Sequence, residues 1–371
     1  MKRLSILAGA AACALTLGAA VVPAAAKSGD AVRTVVAGLD GPRGLATVRP
    51  GATLVSESDG TVSLVRERRH RPATVRELTS VPANFAPAIA LGRGGTVYIL
   101  TGASGPPEEG PEPVDEAIAE ASSKLFKWRP GWSHPRLLAD IGAYQATHTD
   151  PYDLENQPEE SNPFGVTALR RGAVLVADAA GNDLLRVSRH GHITTVAVFK
   201  PRTVEVPEGV GPPAGTEMPA ESVPTSVVVG SDGAYYVGEL RGFPATPGTS
   251  QVWRIERGSR GAVCDPERPR RGACTRYADG LTSVVDLAAG KHGSIYALTL
   301  SKQSWLAVES QPPVPGAEIG GLVKITRHGH RVRELAEDRL VLPGGVDTDR
   351  RGGVYVVGPV FGPGALLEVR H

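Results

Sequence analysis

The sequence predicts an all-β fold, a six-bladed β-propeller of four-stranded blades closed by a strand from the N-terminal part of the chain. Three observations carry this: a composition suited to short strands and turns, a strand pair that recurs six times at fixed spacing, and ends that complement each other.

The 371 residues are 41% apolar and 21% charged, which excludes a disordered or fibrous chain. Aromatic residues make up only 5%, against 45 Gly and 31 Pro, a balance that favours many turns over long helices.

Residues 1–26 read as a secretory signal to be set apart from the fold. Lys2 and Arg3 precede an uncharged apolar run from Leu4 to Val22, and Ala24-Ala25-Ala26 supply a small-residue cleavage site. An N-terminal membrane anchor fits less well, because the run is Ala-rich and weakly apolar. The bulky aliphatic residue that a lipoprotein signal wants before its cysteine is Ala10 here, ahead of Cys13. No later segment is apolar enough to span a membrane, so the remaining chain is expected to be an exported, soluble monomer.

Removing Lys2 and Arg3 moves the formal charge from +1 to −1, a near-neutral balance that argues against a nucleic-acid partner. Arginine-rich stretches such as Arg66 to Arg71 and Arg268 to Arg271 read as solvated turns. The pair left after export, Cys264 and Cys274, reads as a disulfide closing a surface loop; no His or second Cys pair stands nearby to favour a metal site.

The repeat decides the architecture. Six short strands open the units: Gly44-Leu45-Ala46, Ala88-Ile89-Ala90, Gly165-Val166-Thr167, Ser226-Val227-Val228, Asp286-Leu287-Ala288 and Gly345-Val346-Asp347. Ten residues after each first-named position a second strand is headed by Leu54, Tyr98, Leu175, Tyr236, Tyr296 or Tyr355. Polar Gly turns such as Ser231-Asp232-Gly233 separate the pairs. Third and fourth strands follow, with Thr275 to Ala278 as the fourth strand of blade four beyond the Cys-bearing loop. The expected blades are 41–80, 81–140, 162–199, 223–280, 281–338 and 341–371. The last lacks a fourth strand, and Ala31 to Ala37 supplies it. A β-sandwich would leave these complementary ends unexplained.

Antiparallel pairing orients the loops. The starts of first strands, the ends of second strands and the blade connectors share one face. Five long insertions fall there, at 102–122, 140–161, 200–222, 241–249 and 301–320; only 257–273 falls on the opposite face. Long loops gathered on one face of a rigid scaffold point to binding there.

On that face the first strands open with Arg43, Phe164, Thr225, Ser226 and Asp286, and second strands end with Glu57, Asp178 and Glu239. Four carboxylates, Glu57, Asp178, Glu239 and Asp286, are expected to approach the axis. An oxygen-only donor set suits Ca²⁺; the same groups would equally serve a polar channel that holds water and Arg43 without a metal. Arg43, Asn162, Thr225 and Ser226 are the residues expected to orient a ligand.

Most of the nine histidines fall in or beside turns of the far face, and only His148 could approach this site. A zinc centre or a His general base is poorly supported, and no GxSxG elbow is present.

The segments "GLDGPRGLA", "NPFGVTAL", "VADAAGNDLLRV", "VPTSVVVGSDGAYYVGEL" and "GLTSVVDLA" resemble the bacterial secreted family named after ScyD and ScyE, over nearly all of the chain after the signal. The resemblance implies an exported NHL-like propeller without an established activity. The chain departs from it where the second loop of blade one is only Ser58-Asp59-Gly60 and where Ser283 replaces a usual Asn. The functional expectation is a binding module for a small polar molecule, a glycan or a protein on the insertion-bearing face, with Ca²⁺ as the candidate cofactor. The alternative is a Ca²⁺-dependent lactone or ester hydrolase resembling gluconolactonase and paraoxonase, with a quinoprotein sugar dehydrogenase as a third reading that lacks a well-placed His base. Fold alone does not choose between them.

Overall fold

Alternating apolar residues and glycine-bearing turns give short antiparallel strands, and these assemble into six blades of four strands around an axis, the third extended by a fifth strand, in the computed structural model. The structure describes residues 31–104, 115–312, 314–326, 329 and 331–370. The expected signal, 1–26, lies outside the described residues.

The first strands are Leu45–Arg49, Ala88–Leu91, Pro163–Ala168, Pro224–Val229, Val284–Ala289 and Gly345–Thr348. Each pairs only with the second strand of its own blade, so its other edge faces the axis. The expected offset of ten is realised as cross-strand pairing: Ala46 faces Leu54, Val228 faces Tyr236 and Asp347 faces Tyr355.

Blade six takes its outer strand from the N-terminal part of the chain. Ala31–Asp40 runs antiparallel to Pro363–Arg370, from Ala31 opposite Arg370 to Asp40 opposite Pro363. The strand runs three residues beyond the expected Ala37 end. Within it Leu39 is buried, and the Arg33 guanidinium binds Glu368 and Glu67.

Apolar side chains pack between neighbouring sheets. Leu175 and Phe199 of blade three, for example, meet Val237, Trp253 and Ile255 of blade four. Near the axis the packing leaves no room for a side chain. A Cβ on Gly345 would lie 2.0 Å from the Arg43 carbonyl oxygen, and one on Gly165 would lie 2.6 Å from the Ser226 Cα. Glycine at the head of these strands therefore sets how closely the blades approach.

Two features exceed the sequence reading. The 200–222 insertion carries its own ribbon, Arg202–Glu205 paired with Glu217–Ala220. The Cys loop also sends Ala262–Cys264 across to blade three, where it pairs in parallel with Ile193–Phe199. Cys274 begins the outer strand of blade four, so the buried Cys264–Cys274 disulfide ties two blades rather than closing an isolated surface loop. No helix among the described residues is long and apolar enough to cross a membrane.

Candidate functional site

The first strands enclose an axial cavity of about 640 Å³, within the ~300–1,000 Å³ of small-molecule pockets. Its two ends differ. Toward the insertion-bearing face it is walled by buried residues, Arg43, Gly44, Phe164, Thr225 and Gly344. At the opposite end the walls are exposed residues in the turns between first and second strands, including Val48, Arg49, Arg93, Arg170 and Arg350. None of the described residues of the long insertions lines the cavity. It is closed on the face expected to bind and open on the other.

Arg43 forms the closure. Its Nη1 donates to the Ala86 carbonyl at 3.0 Å and its Nη2 to the Phe164 carbonyl, while the guanidinium lies 3.7 Å over the Phe164 ring. Phe85 joins Phe164 and Phe361 in an aromatic patch over this end, with ring centroids 6.3 Å apart in each pair. Burial lowers the Arg43 pKa to about 10, with the charge of Asp286 opposing the fall.

Asp286 and Asp347 line the cavity wall. Asp286 accepts the main-chain N–H groups of Leu287 and Val346, each at 2.8 Å. Asp347 accepts those of Thr47 at 2.6 Å and Thr348 at 2.7 Å. Each carboxylate thereby bridges one blade to the next on the otherwise unpaired inner edge. Desolvation raises Asp286 to about 7 and Asp347 to about 6, against these hydrogen bonds. Hydroxyls make similar bridges: Thr348 donates to the Ala289 carbonyl and Thr225 to the Val284 carbonyl, each at 2.6 Å.

The other expected site residues lie away from the cavity. Asp178 is buried and accepts from Ser161 Oγ at 2.6 Å, the Asn162 main-chain N–H at 2.7 Å and Gly181 N–H at 3.2 Å. Burial raises its carboxyl, and burial together with Asp178 raises neighbouring Asp183 well above the usual range. Glu239 is paired with the buried Arg241 and accepts from Trp253 Nε1 and, at 2.7 Å, from Ser222 Oγ. Glu57 accepts the Asp40 N–H at 2.9 Å. The Asn162 side-chain oxygen accepts the Ala103 N–H at 3.1 Å, and Ser226 Oγ is buried without a partner.

As a set the four carboxylates do not fit a shared Ca²⁺. Three have their oxygens engaged locally outside the cavity, and only Asp286 lines it. Among the described residues no three His, Cys, Asp or Glu side chains form a group that could hold a metal ion. The expected convergence assumed that second-strand ends point inward. Asp178 and Glu239 are instead covered by the 2–3 loop and the connectors, whose Ser161, Ser222 and Arg241 satisfy them, and Glu57 accepts from the strand Ala31–Asp40.

Sequence reasoning did not single out Asp347 or the arginines of the open end. The signal of the arginines was present in the repeat, because Arg49, Arg93, Arg170 and Arg350 share one place relative to their first strands, whereas Asp347 stands where the other repeats carry uncharged residues.

No protein-family model matches the chain, and no curated protein matches it. Solved structures do. A glucose dehydrogenase structure aligns with a TM-score of 0.56 at 14% identity, over 92% of this chain and 99% of the other. The PQQ-bound aldose sugar dehydrogenase of Streptomyces coelicolor aligns with a TM-score of 0.55 at 14% identity, over 93% and 100%. The gluconolactonase XC5397 of Xanthomonas campestris aligns with a TM-score of 0.55 at 10% identity, over 92% and 89%. At these identities the likeness is one of architecture, and the chain is a six-bladed β-propeller.

Proposed function

We propose that the chain is an exported binding propeller that holds a small polar molecule in its axial cavity. The observation that carries this is the cavity itself, about 640 Å³, polar at both ends and walled by strand edges. Apart from the groups that Asp286, Asp347, Thr225 and Thr348 take up, the first-strand edges pair with no neighbouring strand, and their remaining backbone donors and acceptors suit a hydrogen-bonding ligand. The basic, apolar and small-residue order of residues 1–26 supports export. The resemblance to the ScyD/ScyE family, which implies an exported propeller without an established activity, is in line with this reading.

A Ca²⁺-dependent lactone or ester hydrolase asks for free acid and amide ligands around a common point on the axis. Asp286 alone of the expected set lines the cavity, and both its oxygens already accept backbone N–H groups. Binding is therefore the better-supported reading.

Titration calorimetry against a panel of neutral sugars, sugar acids, sugar phosphates and amino acids tests it, beside lactone and ester assays with Ca²⁺ or EDTA. Saturable binding without turnover is expected. Calcium-dependent hydrolysis abolished by Asp286→Ala would overturn it.

A further inference from the structure

The six repeat units align without a gap from the first residue of the first strand to the turn that follows. Five residues on from Gly44, Ala88, Gly165, Ser226, Asp286 and Gly345 stand Arg49, Arg93, Arg170, Ser231, Lys291 and Arg350. Five of the six are cations at one register, and every one heads into the turn between first and second strands.

The backbone repeats as well. Arg93–Gly95, Arg170–Gly172 and Lys291–Gly293 form the same short turn, with Gly94, Arg171 and His292 in the left-handed region at φ of 66°, 65° and 57°. Arg93, Arg170 and Lys291 therefore occupy equivalent places on their blades. Arg49, Arg93, Arg170 and Arg350 all line the cavity at its open end, all are exposed, and among the described residues none is paired with a carboxylate. Two nearby acids are turned to main-chain groups: Asp349 Oδ1 accepts the N–H groups of Arg351 and Gly353, and Asp347 accepts those of Thr47 and Thr348.

Cations held around one aqueous mouth repel each other and concentrate positive potential on the axis, where a single anion relieves the repulsion of all of them. Guanidinium groups also match carboxylate and phosphate oxygens in two-pronged hydrogen bonds. Deeper in, the partners change. The inner strand edges present backbone groups, which suit hydroxyls, and the carboxylates of Asp286 and Asp347 would repel a second anion.

We infer that the cavity admits a small, hydroxyl-rich organic anion, a sugar acid or sugar phosphate, through its turn-lined end, with the acid group held by the cation ring and the hydroxyls directed inward. This rests on the binding reading above and adds to it the ligand's charge, its orientation and its side of entry.

Calorimetry on the full chain with glucuronate, glucose 6-phosphate, glucose and inorganic phosphate tests the inference, at low and at about 0.15 M ionic strength. Both sugar anions should bind, more weakly at the higher salt, and glucose should bind at least about tenfold more weakly than either. Arg93→Gln and Arg170→Gln should each lower affinity about tenfold while leaving the unfolding temperature unchanged, since both side chains are exposed. Arg189→Gln, in the 3–4 turn of blade three and outside the cavity lining, should leave affinity unchanged.

Equal affinity for glucose, or ring variants that bind as the wild type does, would overturn the inference while leaving the binding reading in place. Phosphate binding as tightly as glucose 6-phosphate would remove the role of the hydroxyls. If all four probes fail but a neutral compound of the wider panel binds, the anion ring is refuted alone; if nothing in that panel binds, the reading beneath it falls as well.

Discussion

Asp286 on the first strand of blade five accepts the main-chain N–H of Val346 on the first strand of blade six at 2.8 Å. With the Asp347–Thr47 contact at 2.6 Å, it joins three consecutive blades, five, six and one, at the axis. These carboxylates thus work first as structure. They close the part of the ring where Ala31–Asp40 pairs with Pro363–Arg370.

Their titration gives a pH signature. Burial raises Asp286 to about 7 and Asp347 to about 6, above the ~3.9 of an unfolded chain. Between those values the folded state binds more protons than the unfolded one. The associated stability is fully present below about pH 4 and is lost as pH rises through 6 and 7. Asp286→Asn should therefore flatten the decline in stability between about pH 4 and 7, read as urea midpoints across that range. Parallel wild-type and variant curves would contradict the assignment.

The axis is packed to backbone contact. Gly345→Ala would set a Cβ 2.0 Å from the Arg43 carbonyl oxygen, so the strand must move. The expected cost is about 1–3 kcal/mol, typical of overpacking, measured by chemical denaturation. Gly233→Ala in an exposed turn meets no atom within 4 Å and is a control for the strain of φ +81° alone.

Blade four hides an ion pair. Glu239 and Arg241 are each 1% exposed, and Glu239 also accepts from Ser222 and Trp253. Arg241→Ala strands a buried carboxylate and should cost about 3–5 kcal/mol. A double variant, Glu239→Gln with Arg241→Met, should recover part of that loss. No recovery would indicate that Arg241 acts mainly through its carbonyl-directed bonds to Ala220 and Glu221.

Replacing Cys264 and Cys274 by Ser should lower stability by about 2–4 kcal/mol. The effect should concentrate between blades three and four, because the Cys264 carbonyl accepts the Lys200 N–H at 3.0 Å and Phe199 pairs with Cys264 across the added strand. Faster hydrogen exchange at Lys200, with blade one unchanged, is the expected pattern.

How far the sequence was legible follows from what repeats. The ten-residue offset became Ala46–Leu54 and its counterparts, and the spare strand Ala31–Asp40 found its place on blade six. Both depend on local periodicity, which the sequence displays directly. The candidate site was less legible because Asp178 and Glu239 were placed by position within the repeat alone. Their partners Ser161, Ser222 and Arg241 sit in insertions that follow no repeat, so nothing local showed those carboxylates to be engaged. The same repeat did hold the cations of the open end. Arg49, Arg93, Arg170, Lys291 and Arg350 share one register, but turn arginines read individually are indistinguishable from solvated surface. Nor could periodicity show which end of the channel is closed, since that depends on Arg43 reaching the carbonyls of Ala86 and Phe164 beyond its own blade.

The central claim is that ligand enters the axial cavity from the turn-lined end and not from the insertion-bearing face. Val48 is 37% exposed and lines the cavity at that end, while Phe361 is 42% exposed in the aromatic patch over the closed end. The most direct test is calorimetric affinity for the tightest binder of the sugar panel in wild type, Val48→Trp and Phe361→Ala, all checked for unchanged unfolding. Loss of binding in Val48→Trp with wild-type affinity in Phe361→Ala is the predicted result. Binding that survives Val48→Trp and is lost in Phe361→Ala would place the site on the opposite face and contradict the account.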